Sequence, residues 1–178
     1  MKIKRMVVAA LSSALILGGF GVTALTVPTS TTANAASTKK YVKTFPKTMR
    51  SSWYTYSKKT GYTQIKITSN KLTVTKNGKQ KANLTLNEYQ AHNAKNITKA
   101  QENWLYAWNS AGWLETYGWG QEYGAGSYFQ VKQVKKNNQL TVRSTQENVN
   151  SGEYYQTKQL AKQNQTKNSS GSKINLLT

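Results

Sequence analysis

Beyond residue 45 the apolar positions recur every second residue. Trp53-Tyr54-Thr55-Tyr56 is a β-prone aromatic run entered from a turn at Phe45-Pro46. Ile65 and Ile67 alternate with Gln64 and Lys66, the period-2 signature of a half-buried strand, and Leu72 and Val74 carry it on past Ser69-Asn70. Asn77-Gly78 offers the two positive-φ positions of a type I′ turn, whose twist suits paired strands. Ala82, Leu84 and Leu86 then fall on one face. The pattern predicts a β-meander.

The period next changes to a helical one. Ala100, Trp104, Ala107, Trp108 and Ala111 form one stripe, Thr98 and Gln101 make a capping pair, and Gly112 stands where a left-handed residue would end a helix. This predicts a helix over 99–111, with a weaker helical turn over 88–94 opened by Asn87. Strands return over 113–121, 127–135, 140–146 and 153–158, with a turn at Asn137-Asn138. The expected fold is mainly β: an antiparallel barrel or strongly curved sheet of about seven or eight strands with one packed α-helix. Trp53, Ile65, Ile67, Leu72, Val74, Leu84, Trp104, Trp108, Val131, Leu140 and Val142 are its expected core.

The N-terminal residues follow neither period. Lys2, Lys4 and Arg5 precede an apolar run over 6–27, then Pro28 and the small-residue site Ala33-Asn34-Ala35. A run of that length could span a bilayer. Gly18, Gly19, Pro28 and the Ala-x-Ala site favour a signal peptide over 1–35, cut before Ala36. Residues 36–44 read as a polar, Lys-rich leader and 45–161 as the folded domain. Gln163 to Lys173 is almost wholly polar, with little to bury against its ordering entropy, and residues 162–178 read as a disordered tail.

Charge narrows the possible partners. Cleavage would lower the net charge from +19 to +16 and leave Arg50 and Arg143 as the remaining arginines. Lysine is a mobile point charge that suits diffuse attraction to a polyanion, whereas sequence-specific nucleic-acid reading favours the planar fork of Arg. Outside a cell the matching partners are anionic wall polymers, acidic glycans and lipid head groups, of which the first two are the expected ones. The strand-end and turn lysines Lys58, Lys59, Lys76, Lys79, Lys132, Lys135 and Lys136 are the expected contacts. The chain has no Cys, so it has no disulfide, no thiolate metal site and no lipid-acceptor thiol. No second apolar span follows residue 27, and attachment to the wall is expected to be non-covalent.

Catalytic stock is small: one His, six Glu and no Asp. A Ser-His-Asp or Cys-His arrangement cannot be assembled from it. Glu88 and His92 would share a helical face, but with no second His they read as a polar pair, not a metal site. Glu115 and Glu122 are the one carboxylate pair suited to a glycan hydrolase. Pairing of scattered Glu with Lys is the simpler reading, so the chain is expected to be non-catalytic, monomeric and without cofactor or metal. The aromatic residues are more informative. Trp113, Tyr117, Trp119 and Tyr123 share one face of a regular strand, as filling for a barrel or as a platform for sugar rings. Gly118 to Gly126 is glycine-dense but lacks the Gly-Lys-Ser/Thr of a phosphate loop.

Two segments carry a resemblance. Pro46-Lys47-Thr48-Met49-Arg50-Ser51-Ser52-Trp53-Tyr54 resembles the "P-x-x-x-R-G-x-W-Y" opening of small secreted proteins of Gram-positive lactic bacteria, with Ser51 in place of the Gly. Gly118-Trp119 with Gln121, Gly124, Gly126, Tyr128 and Phe129 resembles their "G-W-x-Q-x-x-G-x-G-x-Y-Y" stretch. The resemblance implies a lipocalin-like β-barrel and brings no established activity. The expected function is a secreted protein held at its cell surface by Lys-mediated binding to anionic wall polymers, with an aromatic face for a glycan. A lipocalin-like carrier of a small apolar ligand is the alternative, and a Glu115/Glu122 hydrolase comes third. N-terminal sequencing of the exported form should read from Ala36; a full-length, membrane-retained product would overturn the signal-peptide assignment.

Overall fold

A computed structural model describes residues 39–121, 126–145 and 150–165. The expected signal peptide, residues 36–38 of the expected leader, Glu122, Tyr123 and the tail beyond 165 lie outside the described residues. The chain forms β1 (Ser52–Ser57), β2 (Gly61–Ile67), β3 (Lys71–Lys76), β4 (Lys79–Leu86), β5 (Trp104–Ser110), β6 (Trp113–Gly118), β7 (Ser127–Val134), β8 (Asn137–Ser144) and β9 (Asn150–Tyr155), then a short α1 (Lys158–Gln163). These nine strands close a barrel in sequence order. Every neighbour pair is antiparallel except β4 and β5, which run parallel through Thr85↔Trp104 and Leu86↔Leu105. The mainly β barrel stands; it is mixed, and it has nine strands instead of seven or eight.

The helix expected over 99–111 is replaced by one 3-10 turn, Gln101–Asn103, and strand β5. Thr98 and Gln101 do meet, with the Thr98 amide donating to Gln101 Oε1 at 2.7 Å, but the pair opens that single turn. A helix would have left Leu105 and Tyr106 off the apolar stripe. The strand sends Leu105 and Ala107 into the core and puts Trp104, Tyr106 and Trp108 on the outer face. Trp104 is therefore only half-buried, while Trp108 is buried as expected, 5% exposed, but on the outer face and outside the cluster that fills the barrel. Ala111 and Gly112 take φ 46 and 81, so Gly112 serves a type I′ hairpin turn and not a helix end. Residues 88–94 likewise form no helical turn.

Asn77 and Gly78, at φ 49 and 77, make the expected type I′ turn between β3 and β4. The β7–β8 turn falls at Lys135-Lys136, with Lys135 at φ 58, and Asn137 and Asn138 already belong to β8. At the C-terminal side Thr157 caps α1 by accepting from the Leu160 amide at 3.1 Å. The helix takes residues first read as the end of a strand and the start of the tail. Among the described residues no helix is long and apolar enough to cross a membrane.

Inward positions fill the barrel. Trp53, Ile65, Ile67, Leu72, Val74, Leu84, Leu140 and Val142 are core as expected, with Val131 partly buried against them. Phe45, Leu86, Leu105, Leu114, Phe129 and Tyr154 complete the packing. Trp53 is 0% exposed and its indole Nε1 donates to the Met49 carbonyl at 2.8 Å, tying the 3-10 turn Lys47–Met49 to β1. Closure is narrower. β9 meets β1 through the Tyr54↔Tyr155 pair, while α1 packs on β1 beside it. Truncating Trp53 removes the largest fully buried side chain of β1 and its hydrogen bond. Trp53→Ala should cost about 3–5 kcal/mol of unfolding free energy by urea denaturation, and Trp53→Phe markedly less; an unchanged midpoint in the alanine variant would overturn this account of the core.

Candidate functional site

The β5–β6 hairpin lays an aromatic wall on the outside of the barrel. Its register sets Tyr106 opposite Tyr117 and Trp108 opposite Glu115. Leu114 and Thr116 point inward, so Trp113, Glu115 and Tyr117 share the outer face with Tyr106 and Trp108. The Trp108 and Tyr117 rings stack at 5.1 Å and 5°, and Tyr106 and Tyr117 at 5.8 Å and 19°. Stacks of this kind contribute about 0.5–1.5 kcal/mol each beyond area burial.

Two further segments make the wall into a cleft. The leader runs alongside β5: the Val42 amide donates to the Ala107 carbonyl at 2.9 Å, and Tyr41 pairs with Trp108. The 87–103 connection, which parallel pairing of β4 and β5 makes long, lays Tyr89 and His92 on the wall. Tyr89 stacks on Tyr41 at 4.3 Å, and His92 stacks on Trp119 at 4.5 Å. Both His92 nitrogens face carbonyl oxygens, Nδ1 that of Gln90 at 2.7 Å and Nε2 that of Trp119 at 2.6 Å. The connection is thereby pinned to the end of β6. The resulting open cleft of about 400 Å³ is lined by Lys39, Tyr41, Tyr89, His92, Tyr106, Trp108 and Tyr117, with Asn93, Ala94 and Gln121 at its edge. Lys39 Nζ lies 4.0 Å from the centre of the Trp108 ring.

A second hollow of about 350 Å³ lies on the same outer face, lined by Ser110, Ala111, Trp113, Tyr128, Arg143 and Thr145. The Arg143 guanidinium sits 4.6 Å above the Trp113 ring, and Tyr128 meets that ring edge-on at 6.3 Å. Between the two hollows Glu115 is buried, 8% exposed, and accepts the Tyr117 hydroxyl at 2.8 Å. Burial, and then Glu115, hold the Tyr117 hydroxyl well above the ordinary phenol range, with Thr145 opposing. Burial first and Glu115 second also raise Tyr128. Elsewhere, burial and Glu153 push Tyr155 up to about 12.

The expected site residues separate into groups. Trp113 and Tyr117 share the outer face, whereas Trp119 lies beyond β6, buried against Trp104 and His92. Tyr123 and Glu122 lie outside the described residues. Strand direction puts Lys58, Lys59, Lys76 and Lys79 at one end of the barrel, where Asn77 Nδ2 donates to the Thr60 carbonyl at 2.9 Å. It puts Lys132, Lys135 and Lys136 at the opposite end. Those seven lysines thus make two clusters, not one patch. Glu88 pairs with Lys43 at 2.9 Å on the surface.

Residues the sequence reading passed over are Lys39, Tyr41, Tyr89, Tyr106 and Arg143. The usable signal for Tyr106 was its alternation with Leu105 and Ala107. Lys39 and Tyr41 lay in a segment read as a short polar leader to the domain. Comparison with family models, with curated proteins and with solved structures finds no match.

The tyrosines give a pH test. An unfolded chain ionises its tyrosines near pH 10, whereas Tyr155 keeps its proton to about 12 and Tyr117 holds its own still more firmly. The stability contributed by these raised values is fully present below about pH 10 and is lost as pH climbs through the folded values. Urea midpoints followed by Trp fluorescence should fall across that window, and less steeply in Tyr155→Phe. Tyr117→Phe should cost about 1–3 kcal/mol at neutral pH because buried Glu115 loses one of its phenol donors. Equal alkaline slopes in wild type and Tyr155→Phe would overturn the assignment.

Proposed function

We propose that this chain is a secreted, non-catalytic binding protein, retained at the surface of its own cell by non-covalent attraction between its lysines and anionic wall polymer. The aromatic cleft on β5 and β6 takes sugar rings of such a glycan. The observation that carries this reading is the cleft itself: an open hollow walled by Tyr41, Tyr89, Tyr106, Trp108 and Tyr117, with Lys39 over the Trp108 indole. Flat aromatic faces suit the C–H faces of sugar rings, and a cation beside them suits acidic substituents. The excess of Lys over Glu supplies long-range attraction, and clusters at both ends of the barrel let that attraction act in more than one orientation.

Two other readings receive less support. A carrier of a small apolar ligand would use the inside of the barrel, where Trp53, Phe129 and Tyr154 pack with 0% exposure each. A hydrolase would need Glu115 to face substrate, whereas its carboxylate is buried and hydrogen-bonded by Tyr117.

Binding to isolated cell walls should weaken at least about tenfold between low and moderate salt, because exposed Lys contacts are screened and counterions are released. Replacing Lys132, Lys135 and Lys136 with Gln should weaken it further without unfolding the domain, and stripping the anionic polymer from the wall should do the same. Retention that ignores salt and survives these changes would overturn the electrostatic reading.

A further inference from the structure

The register draws one line across the outside of the barrel. Tyr41 of the leader pairs with Trp108 of β5, Trp108 with Glu115 of β6, Glu115 with Tyr128 of β7, and Tyr128 with Arg143 of β8. At the usual separation of neighbouring strands this row is roughly 19 Å long. The two hollows lie at its two halves, and each holds a cation against an indole, Lys39 on Trp108 and Arg143 on Trp113. Buried Glu115 separates them.

Arg143 is the informative member. Its Nε is buried without a hydrogen-bond partner. Among the described residues the ion pair formed is Lys43 with Glu88, and no carboxylate reaches the Arg143 guanidinium. The register of β8 against β9 slips between Val142 and Arg143, the kind of bulge that re-aims a side chain. The hydroxyl-bearing residues Ser110, Tyr128 and Thr145 line the same hollow. A guanidinium fixed on an aromatic face, with no carboxylate paired to it among the described residues, is a cation suited to an oxyanion.

We propose that the row is an extended binding track for a linear glycan whose oxyanions are spaced along it: one is held by Arg143, another by Lys39, and neutral units cross Tyr128 and Trp108 between them. Glu115 in the middle disfavours a polymer carrying negative charge on every unit. The proposal rests on the surface-glycan reading above and adds its chemistry: spaced carboxylates or phosphates, engaged at two points at once. Two-point engagement makes affinity rise with length until both ends are reached.

Calorimetric titration with hyaluronate oligosaccharides (a carboxylate on every second sugar) and with poly(glycerol phosphate) of matched length tests this. Four- to six-sugar hyaluronate should bind at least about tenfold more tightly than the disaccharide. Arg143→Gln and Lys39→Gln should each abolish that gain. Arg143→Lys, which keeps the charge and loses the fork, should recover only part of it, and circular dichroism should show each variant folded. A preference for poly(glycerol phosphate) lost in the same variants would identify phosphate as the oxyanion and overturn the spacing argument from Glu115. No dependence on length, or indifference to Arg143→Gln with both probes, would overturn the track. Salt-sensitive wall binding that persists in Arg143→Gln would leave the surface-retention reading standing while the track fails; wall binding indifferent to salt would remove the reading beneath it.

Discussion

The two-rung parallel contact between β4 and β5 is the constraint on which the rest of the molecule depends. Antiparallel neighbours can be joined by two residues, as they are at Asn77-Gly78, Ala111-Gly112 and Lys135-Lys136. Parallel neighbours cannot, because the chain must return the length of a strand before it pairs again. Residues 87–103 make that return across the outside of the barrel. They bring Tyr89 and His92 onto a face that would otherwise be bare sheet. The same departure from simple up-and-down order therefore completes the barrel wall and roofs the cleft.

Alternation then divides the aromatic residues between two uses. Trp53, Phe129 and Tyr154 point inward and fill the interior. Trp104, Tyr106, Trp108, Trp113 and Tyr117 point outward, where a barrel of this size has no need of them for its core. They are covered in part by one another, by the leader and by the crossover. The buried Glu115 carboxylate among them is held by phenol hydroxyls instead of a cation, so the face keeps its cations, Lys39 and Arg143, directed at indoles. One glycine is required for that geometry: a Cβ on Gly126 would run into the backbone oxygen of Thr116, so β7 could not approach β6 closely at its start.

What could be read from the sequence was local. The alternation of Ile65 with Ile67 and of Leu72 with Val74 is contained within single strands, and Asn77-Gly78 declares its turn in two residues. Trp113 and Tyr117 could be placed on one face by parity alone. Ala100 through Ala111 fits two periods, and only the partner strands decide between them: β6 offers Trp108 and Tyr106 a surface that a helix could not match. The parallel rungs of β4 and β5 join residues whose pairing carries no local signal. Tyr41 became part of the site through a pairing with Trp108 far along the chain. Arg143, a lone cation on a strand, has no motif around it; its meaning comes from the Trp113 ring beneath it and the slipped register beside it.

Closure between β9 and β1 rests on the Tyr54↔Tyr155 pair with α1 packed alongside, whereas β7 and β8 share eight paired positions. The first and last strands are also the most distant in sequence, so their meeting carries the largest loop-closure cost and, among the described residues, has the fewest paired positions to offset it. The molecule is in this respect a curved sheet latched at one seam. Release of α1 would turn β1 from an interior strand into an edge bearing Trp53, Tyr54 and Tyr56, a β-prone ribbon of the kind that pairs with other chains. The short capped helix at residues 158–163, packed on both β1 and β9, thus straddles the seam at which such an edge would open.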